Sequence, residues 1–146
     1  MEARMQNPAA VLPGAWAGIG ELNKAVKAGG LPEDTVELVH LRVSQLNGCS
    51  ACVAAATKSK QSVERLTAVA AWRDAPYFTD AERAALALAE SATRLADNPD
   101  AVPDPIWDEA AKHHDDQAMA ALVLAIALTN FFNRLNRVTR QPAGVW

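Results

Sequence analysis

Charge of one sign is nowhere concentrated in this chain. Its 14 Lys and Arg are set against 17 Asp and Glu, and neither sign reaches a block of about five or six. The basic footprint by which proteins hold nucleic acid or anionic lipid is therefore missing, and no nucleic-acid partner is expected. Long apolar runs are missing too. None reaches the roughly 18 to 20 residues of a membrane-spanning helix, and the longest, Ala118 to Leu128, suits a helix buried in the protein or in an interface. Met1 to Gly20 lacks a basic start followed by an apolar signal core. No membrane partner is expected, and residence is read as cytoplasmic. Cysteine is scarce, with only two in the chain. In a reducing compartment, two closely placed cysteines suit catalysis, redox sensing or metal binding better than a structural disulfide.

What is plentiful is Ala and Leu. Half of the residues are hydrophobic, but the excess is not in Val, Ile, Tyr and Phe, so propensity favours helix over sheet. An all-α fold of about six to seven helices is expected. The 146 residues suit a single domain, 1–146, able to bury well over half of its unfolded surface without disulfide or metal staples.

Residues 1–12 show no clear periodicity and read as a tail on the surface or on a neighbouring subunit. Pro13 can open a first helix through Trp16, Ile19 and Leu22 to Val26, stopped by Gly29-Gly30. Pro32, followed by Glu33 and Asp34, starts a second that runs to about Leu46, with Val36, Val39, Val43 and Leu46 as its apolar stripe. Asn47-Gly48 supplies a left-handed ending, so a third helix covers about Ser50 to Lys58. A short helix from Ser62 to Trp72 and a Pro-containing loop follow. Thr79-Asp80-Ala81-Glu82 is a capping box, opening a helix that carries Ala85, Leu88, Ala89, Ala92 and Leu95 on one face and ends near Asp97. Asp104 caps a helix with Trp107 and Ala111 inward, reaching about His114. Asp115 or Asp116 caps the last, which runs to about Arg140 and is apolar almost all round from Ala118 to Phe132. Such a helix is buried at a domain centre or in an oligomer interface, so self-association is expected.

The chemistry-bearing stretch is Glu37 to Lys60, which holds Cys49 and Cys52 at the start of the third helix. Unpaired N–H groups and the dipole at a helix start favour the thiolate, which is the nucleophile in thiol chemistry. A spacing of three brings the two sulfurs close, so a sulfenic acid formed on one can be captured by the other as a disulfide. A lone C-x-x-C has other readings. A thioredoxin-like fold places it between a strand and a helix, whereas a helix precedes it here. A structural zinc site needs two more ligands, and His40, His113 and His114 are the other candidates. Two packed, inert cysteines are the plainest alternative.

The block Glu37-Leu38-Val39-His40-Leu41-Arg42-Val43-Ser44-Gln45-Leu46-Asn47-Gly48-Cys49-Ser50-Ala51-Cys52 resembles the signature of the carboxymuconolactone decarboxylase superfamily, in its alkylhydroperoxidase-like (AhpD-like) branch. Trp72-Arg73, the run Phe78-Thr79-Asp80-Ala81-Glu82-Arg83-Ala84-Ala85-Leu86 and the run Asn130-Phe131-Phe132-Asn133-Arg134-Leu135-Asn136 agree with it. The resemblance implies an all-helical protein assembling as trimers or hexamers, with a C-x-x-C pair that reduces peroxide without a cofactor or metal. It also implies a dithiol or lipoylated-protein reductant. In such proteins the second cysteine meets the peroxide and the first resolves, while a glutamate and a histidine relay a proton. Carried over, these roles fall on Cys52, Cys49 and Glu37.

The relay histidine falls on Ala56, and the position between the cysteines, often Tyr or His in the family, is Ala51. A base matched to neutral pH contributes about 10² to 10⁴-fold, so a weakened peroxidase is implied. His40, three residues after Glu37 and on the same side of that helix, is the candidate to compensate. His113 and His114 read as a solvated helix end, and Asn130, Asn133 and Arg134 as partners for buried polar groups. A non-catalytic or redox-sensing oligomer is the alternative from another class. Lactone decarboxylation is a third, disfavoured because those members do not depend on a cysteine pair.

Overall fold

A computed structural model describes residues 2–144, and helix is the only regular structure among them. The order is α1 (Pro8–Val11), α2 (Ala15–Ala28), α3 (Glu33–Leu46), α4 (Ser50–Ala55), α5 (Val63–Ala68), α6 (Asp80–Thr93), α7 (Asp104–His113) and α8 (Asp116–Thr139). Tight 3₁₀ turns, Ala56–Lys58 and Val69–Ala71, extend α4 and α5. The fold is all-α, with eight helices among the described residues where six to seven are expected.

Local chemistry explains most boundaries. The Thr79 hydroxyl accepts from the Glu82 N–H at 3.2 Å, and the Glu82 carboxylate accepts from the Thr79 N–H at 2.9 Å, closing the capping box. Asp115 accepts from the Ala118 N–H at 2.8 Å and starts α8. Glu33 and Asp34 occupy the first turn of α3, where they suit the dipole. The left-handed residue after that helix is Gly48, with φ of 62°, a conformation that a Cβ disfavours.

The middle of the molecule is α3, packed between α6 and α8. Val39, Val43, Ala85, Leu88, Leu122 and Ile126 form one buried cluster there. On the other side of α3, Leu38 and Leu41 join Val69, Trp72, Phe78 and Leu86 in a second. Leu38, Leu86, Leu88 and Leu122 are each fully buried, and each such side chain contributes about 1.5–3 kcal/mol. The end of α2 touches α8 closely: a Cβ on Gly29 would collide with the side chain of Ala121.

In places the structure departs from the pattern. On α7, Ala110 is buried and Ile106 packs inward, whereas Trp107 and Ala111 face out. Pro103 rather than Asp104 is the cap, and the neighbouring helices select the face about one position away from that expected. Helix α6 stops at Thr93 instead of near Asp97, because the Ser91 hydroxyl donates to the Ala101 carbonyl at 2.7 Å and folds the following loop back. Leu95 then lies outside the helix and is exposed. Residues 4–7 are pinned to the chain's own α8, with the Arg4 N–H donating to the Thr139 carbonyl at 2.8 Å. Helix α8 is long enough to cross a membrane and has a mean hydropathy of 1.6 in its most apolar window. Half of that window is buried against the rest of the fold, and Asn130 and Asn133 are buried on it, as befits a core helix.

Glu90 ties three elements together. It accepts from Arg42 Nε at 2.6 Å, Trp72 Nε1 at 2.8 Å and Arg73 Nη2 at 2.8 Å. Burial works against its ionisation, but the donors from Arg73, Trp72 and Arg42 together hold the carboxyl below its ordinary value of 4.5. A depressed carboxylate contributes stability above its unfolded pKa, and that contribution is lost as pH falls through the folded pKa. Glu90→Gln is expected to cost about 1–2 kcal/mol at neutral pH, solvent at the cluster's edge keeping the figure modest. The gap from the parent protein should close as pH falls below about 4.5. Urea unfolding at a series of pH values measures it.

Candidate active site

The site is built at the junction of α3, α4 and α8. The Asn47 side chain donates to Asn130 Oδ1 at 2.9 Å and to Asn133 Oδ1 at 2.8 Å, and Asn133 donates to the Ser44 hydroxyl at 3.0 Å. The end of α3 is thereby fastened to α8, and Gly48 turns the chain into α4. Cys49 becomes the N-cap of α4, its Sγ accepting from the Cys52 N–H at 3.3 Å. The Cα atoms of Cys49 and Cys52 are 5.3 Å apart, and their sulfurs are joined as a disulfide. Both are buried, with exposures of 1% and 4%. Beyond the Cys52 N–H, the sulfurs have one hydrogen-bond donor among the described residues: Asn136 Nδ2, 3.3 Å from Cys52 Sγ.

About one helical turn further along α4, Ala55, Ala56 and Ser59 line a cavity of about 360 Å³. Glu37 and His40 line it from α3, and Val36, Leu66, Leu128 and Phe132 supply apolar wall. Glu37 Oε2 accepts from the Ser59 hydroxyl at 2.5 Å and from Gln61 Nε2 at 3.0 Å. Both are neutral donors; Arg42, on the same helix, pairs with Glu90, and Lys58 also lines the cavity. His40 is held below its ordinary 6.5 by burial, which the negative charge of Glu37 partly opposes. At neutral pH its imidazole is therefore uncharged and able to accept a proton.

The structure thus brings Glu37 and His40 together with Ala56 around one cavity and sets the cysteine pair at the far end of the same short helix. A small crevice of about 80 Å³ on the sulfur side is lined by Cys49, Asn136, Arg137 and Arg140. His113 and His114 lie apart, at the end of α7. His113 faces Glu109 at 3.4 Å, but His114 is no solvated helix end, since its Nε2 is buried with no hydrogen-bond partner among the described residues. Among the described residues no three His, Cys, Asp or Glu side chains converge as metal ligands. Ser59, Gln61 and Asn136 are the contacts that the pattern of residues does not disclose.

The sequence model of the carboxymuconolactone decarboxylase family matches residues 13–91. The chain belongs to that family. Among relatives, the uncharacterised protein YdfG of Bacillus subtilis is 31% identical over 120 residues, 80% of each chain. The uncharacterised protein YnjA of Escherichia coli is 36% identical over 110 residues, 73% of this chain and 59% of its own length. Among solved structures, a protein of unknown function from Agrobacterium tumefaciens, for which a role in antioxidant defence as AhpD has been suggested, superposes with a TM-score of 0.88. Its identity is 28%, covering 99% of this chain and all of that one. The debrominase Bmp8 shares the fold with a TM-score of 0.79 at 23% identity, covering 91% of this chain and 73% of that one.

For this carboxymuconolactone decarboxylase family member, His40 carries a pH signature. Its folded pKa is below 6.5, so between the two values the unfolded chain binds more protons than the folded one. Stability therefore falls as pH drops from 6.5 through the folded midpoint. An NMR titration of the His40 ring should show a midpoint under 6.5. In Glu37→Gln, which removes the raising charge, the midpoint should move lower still; an upward move would contradict this account of its surroundings.

Proposed function

We propose that this protein is a thiol-dependent antioxidant oxidoreductase of the alkylhydroperoxidase type, working as a cytoplasmic homo-oligomer. The observation that carries this reading is a C-x-x-C pair closed at a helix start, one turn from a cavity that presents Glu37 and His40. The Cys52 thiolate attacks the outer oxygen of a peroxide, breaking the O–O bond. Cys52 becomes a sulfenic acid and the departing oxygen leaves as an alcohol or water, taking a proton. The Cys49 thiol then displaces hydroxide from that sulfenic acid, forming the disulfide and water. A dithiol, free or on a lipoylated protein, reduces the disulfide by exchange and is itself oxidised to a disulfide. Glu37 and His40 move protons at the cavity end of α4, His40 standing in for the imidazole that Ala56 lacks. Turnover is weaker than in relatives with both groups.

The exposed apolar groove formed by Trp107 and Ala111 of α7 with Val123 and Ala127 of α8 is the self-association face in this reading. A trimer or hexamer by sedimentation equilibrium is the expected state. Ala56 itself favours the second reading, a redox sensor whose pair closes once without efficient turnover. Stoichiometric peroxide should convert two free thiols per chain into one intramolecular disulfide that a dithiol reopens, as read by mass spectrometry after alkylation. Both thiols remaining free would count against either reading. Ala56→His should raise peroxide turnover about tenfold or more, and His40→Gln should lower it in the parent. Turnover already high in the parent and insensitive to both changes would remove the sensor reading and the role given to His40.

A further inference from the structure

The fold does not treat the two sulfurs alike. Cys49 is the N-cap of α4 and receives a backbone N–H there, so the helix start favours negative charge on that sulfur. Cys52 lies within the first turn, and its own N–H is already given to Cys49. If Cys52 is the attacking thiolate, a second source of stabilisation has to reach it. The Asn136 side-chain amide, 3.3 Å from Cys52 Sγ, is in position to do so.

An amide can present either NH₂ or C=O, and the choice here is settled two contacts away. A backbone N–H only donates, so the atom of Asn7 that lies 2.9 Å from the Ala9 N–H must be its Oδ1. The Asn7 NH₂ then faces Asn136 at 3.1 Å, where an oxygen is needed to accept it. Asn136 has only its own NH₂ left to turn toward Cys52. The segment that carries Asn7 is itself anchored to the end of α8. Arg4 donates through its backbone N–H to the Thr139 carbonyl at 2.8 Å and through Nη1 to the Val138 carbonyl at 3.0 Å. Gln141 Nε2 donates to the Met5 carbonyl at 2.9 Å. Orientation therefore passes without a free choice from a backbone N–H near the start of the chain to a sulfur.

We propose that Asn136 is the hydrogen-bond donor that stabilises the Cys52 thiolate, and that Asn7 is a positioning residue that keeps the Asn136 NH₂ on that sulfur. This rests on the reading in which Cys52 attacks. An N–H donor to a charged acceptor stabilises the charged form, so Asn136 gives Cys52 what the helix start gives Cys49. The segment from Arg4 to Asn7 becomes part of the thiol machinery.

The test isolates one thiol in a Cys49→Ser background, where serine keeps the helix cap. The pH dependence of Cys52 alkylation by iodoacetamide is then followed by mass spectrometry, without peroxide. Asn136→Ala is expected to raise the Cys52 pKa and slow alkylation at neutral pH about tenfold. Asn7→Asp retains the cap on α1 but cannot donate, so Asn136 turns its NH₂ to the new carboxylate and its oxygen to the sulfur. The same upward shift is expected, although the substitution does not touch Cys52. Asn7→Ala, which removes the donor to Asn136 without adding charge, should shift the profile in the same direction and so separates the amide's orientation from simple charge. An unmoved Cys52 profile in folded Asn7→Asp and Asn136→Ala proteins would overturn the proposal. If the profile moves while peroxide fails to close the disulfide in the parent, the donor role stands and the peroxidase reading falls; disulfide closure with an unmoved profile means the reverse.

Discussion

The amide cluster of Asn47, Asn130 and Asn133 with Ser44 is the constraint on which the site depends. Asn133 and Ser44 are essentially without solvent exposure, so each group in the cluster has to be paired inside the protein or bear its full desolvation cost, about 1–3 kcal/mol. The pairing works only when the end of α3 meets α8 at one rotation and one height, which makes the contact nearly all-or-none. Two consequences follow from the same contact. Asn47 is held where Gly48 can turn the chain left-handed and present Cys49 as a cap. Asn136, three residues beyond Asn133 on the same face of α8, is carried to Cys52.

Helix α4 is six residues long, and its brevity divides the labour of the site. Its first turn carries the sulfurs among amide donors, with Arg137 and Arg140 at the rim. Its end and the following 3₁₀ turn bring Ala56, Lys58 and Ser59 to the cavity, where Glu37 accepts from Ser59 and Gln61. Arg42, on the same helix as Glu37, is paired with Glu90, which Trp72 and Arg73 also hold.

Where a boundary is made by neighbours in sequence, the residues disclose it. Thr79 with Glu82, Asn47-Gly48 and Asp115 each act within a few positions, and the structure has the features these residues imply. The phase of α7 is not of that kind. Whether Ile106 or Trp107 faces inward depends on which neighbouring helix it meets, and a ten-residue helix carries too little periodicity to decide between adjacent phases. The early end of α6 depends on a hydrogen bond to the loop at Ala101, which no spacing rule describes. For the candidate site, Glu37, Cys49 and Cys52 were legible through a motif. Asn136 was quoted within a resembling run, but its contact with Cys52 spans 84 residues and that with Asn7 spans 129. A polar side chain whose partner is so distant leaves no periodic trace, and only the folded chain identifies it.

The residue at position 56 decides the route of the proton in the proposed chemistry. An imidazole at position 56 would line the same cavity as Glu37, about one turn of α4 from Cys52; a methyl group there leaves Glu37 and His40, the groups proposed to carry protons, without that link to the thiols. The cavity that Ala56 lines, about 360 Å³, has room for several waters at about 30 Å³ each, and Glu37, His40 and Ser59 offer them polar partners. A bridging water costs up to about 2 kcal/mol in immobilisation, which corresponds to roughly a thirtyfold slower step. Complete loss of a matched base costs about 10² to 10⁴-fold. A route from His40 through water is therefore slower than a direct relay but faster than none. In the proposed chemistry, a neutral, half-buried His40 is what separates a weakened peroxidase from an inert pair of cysteines.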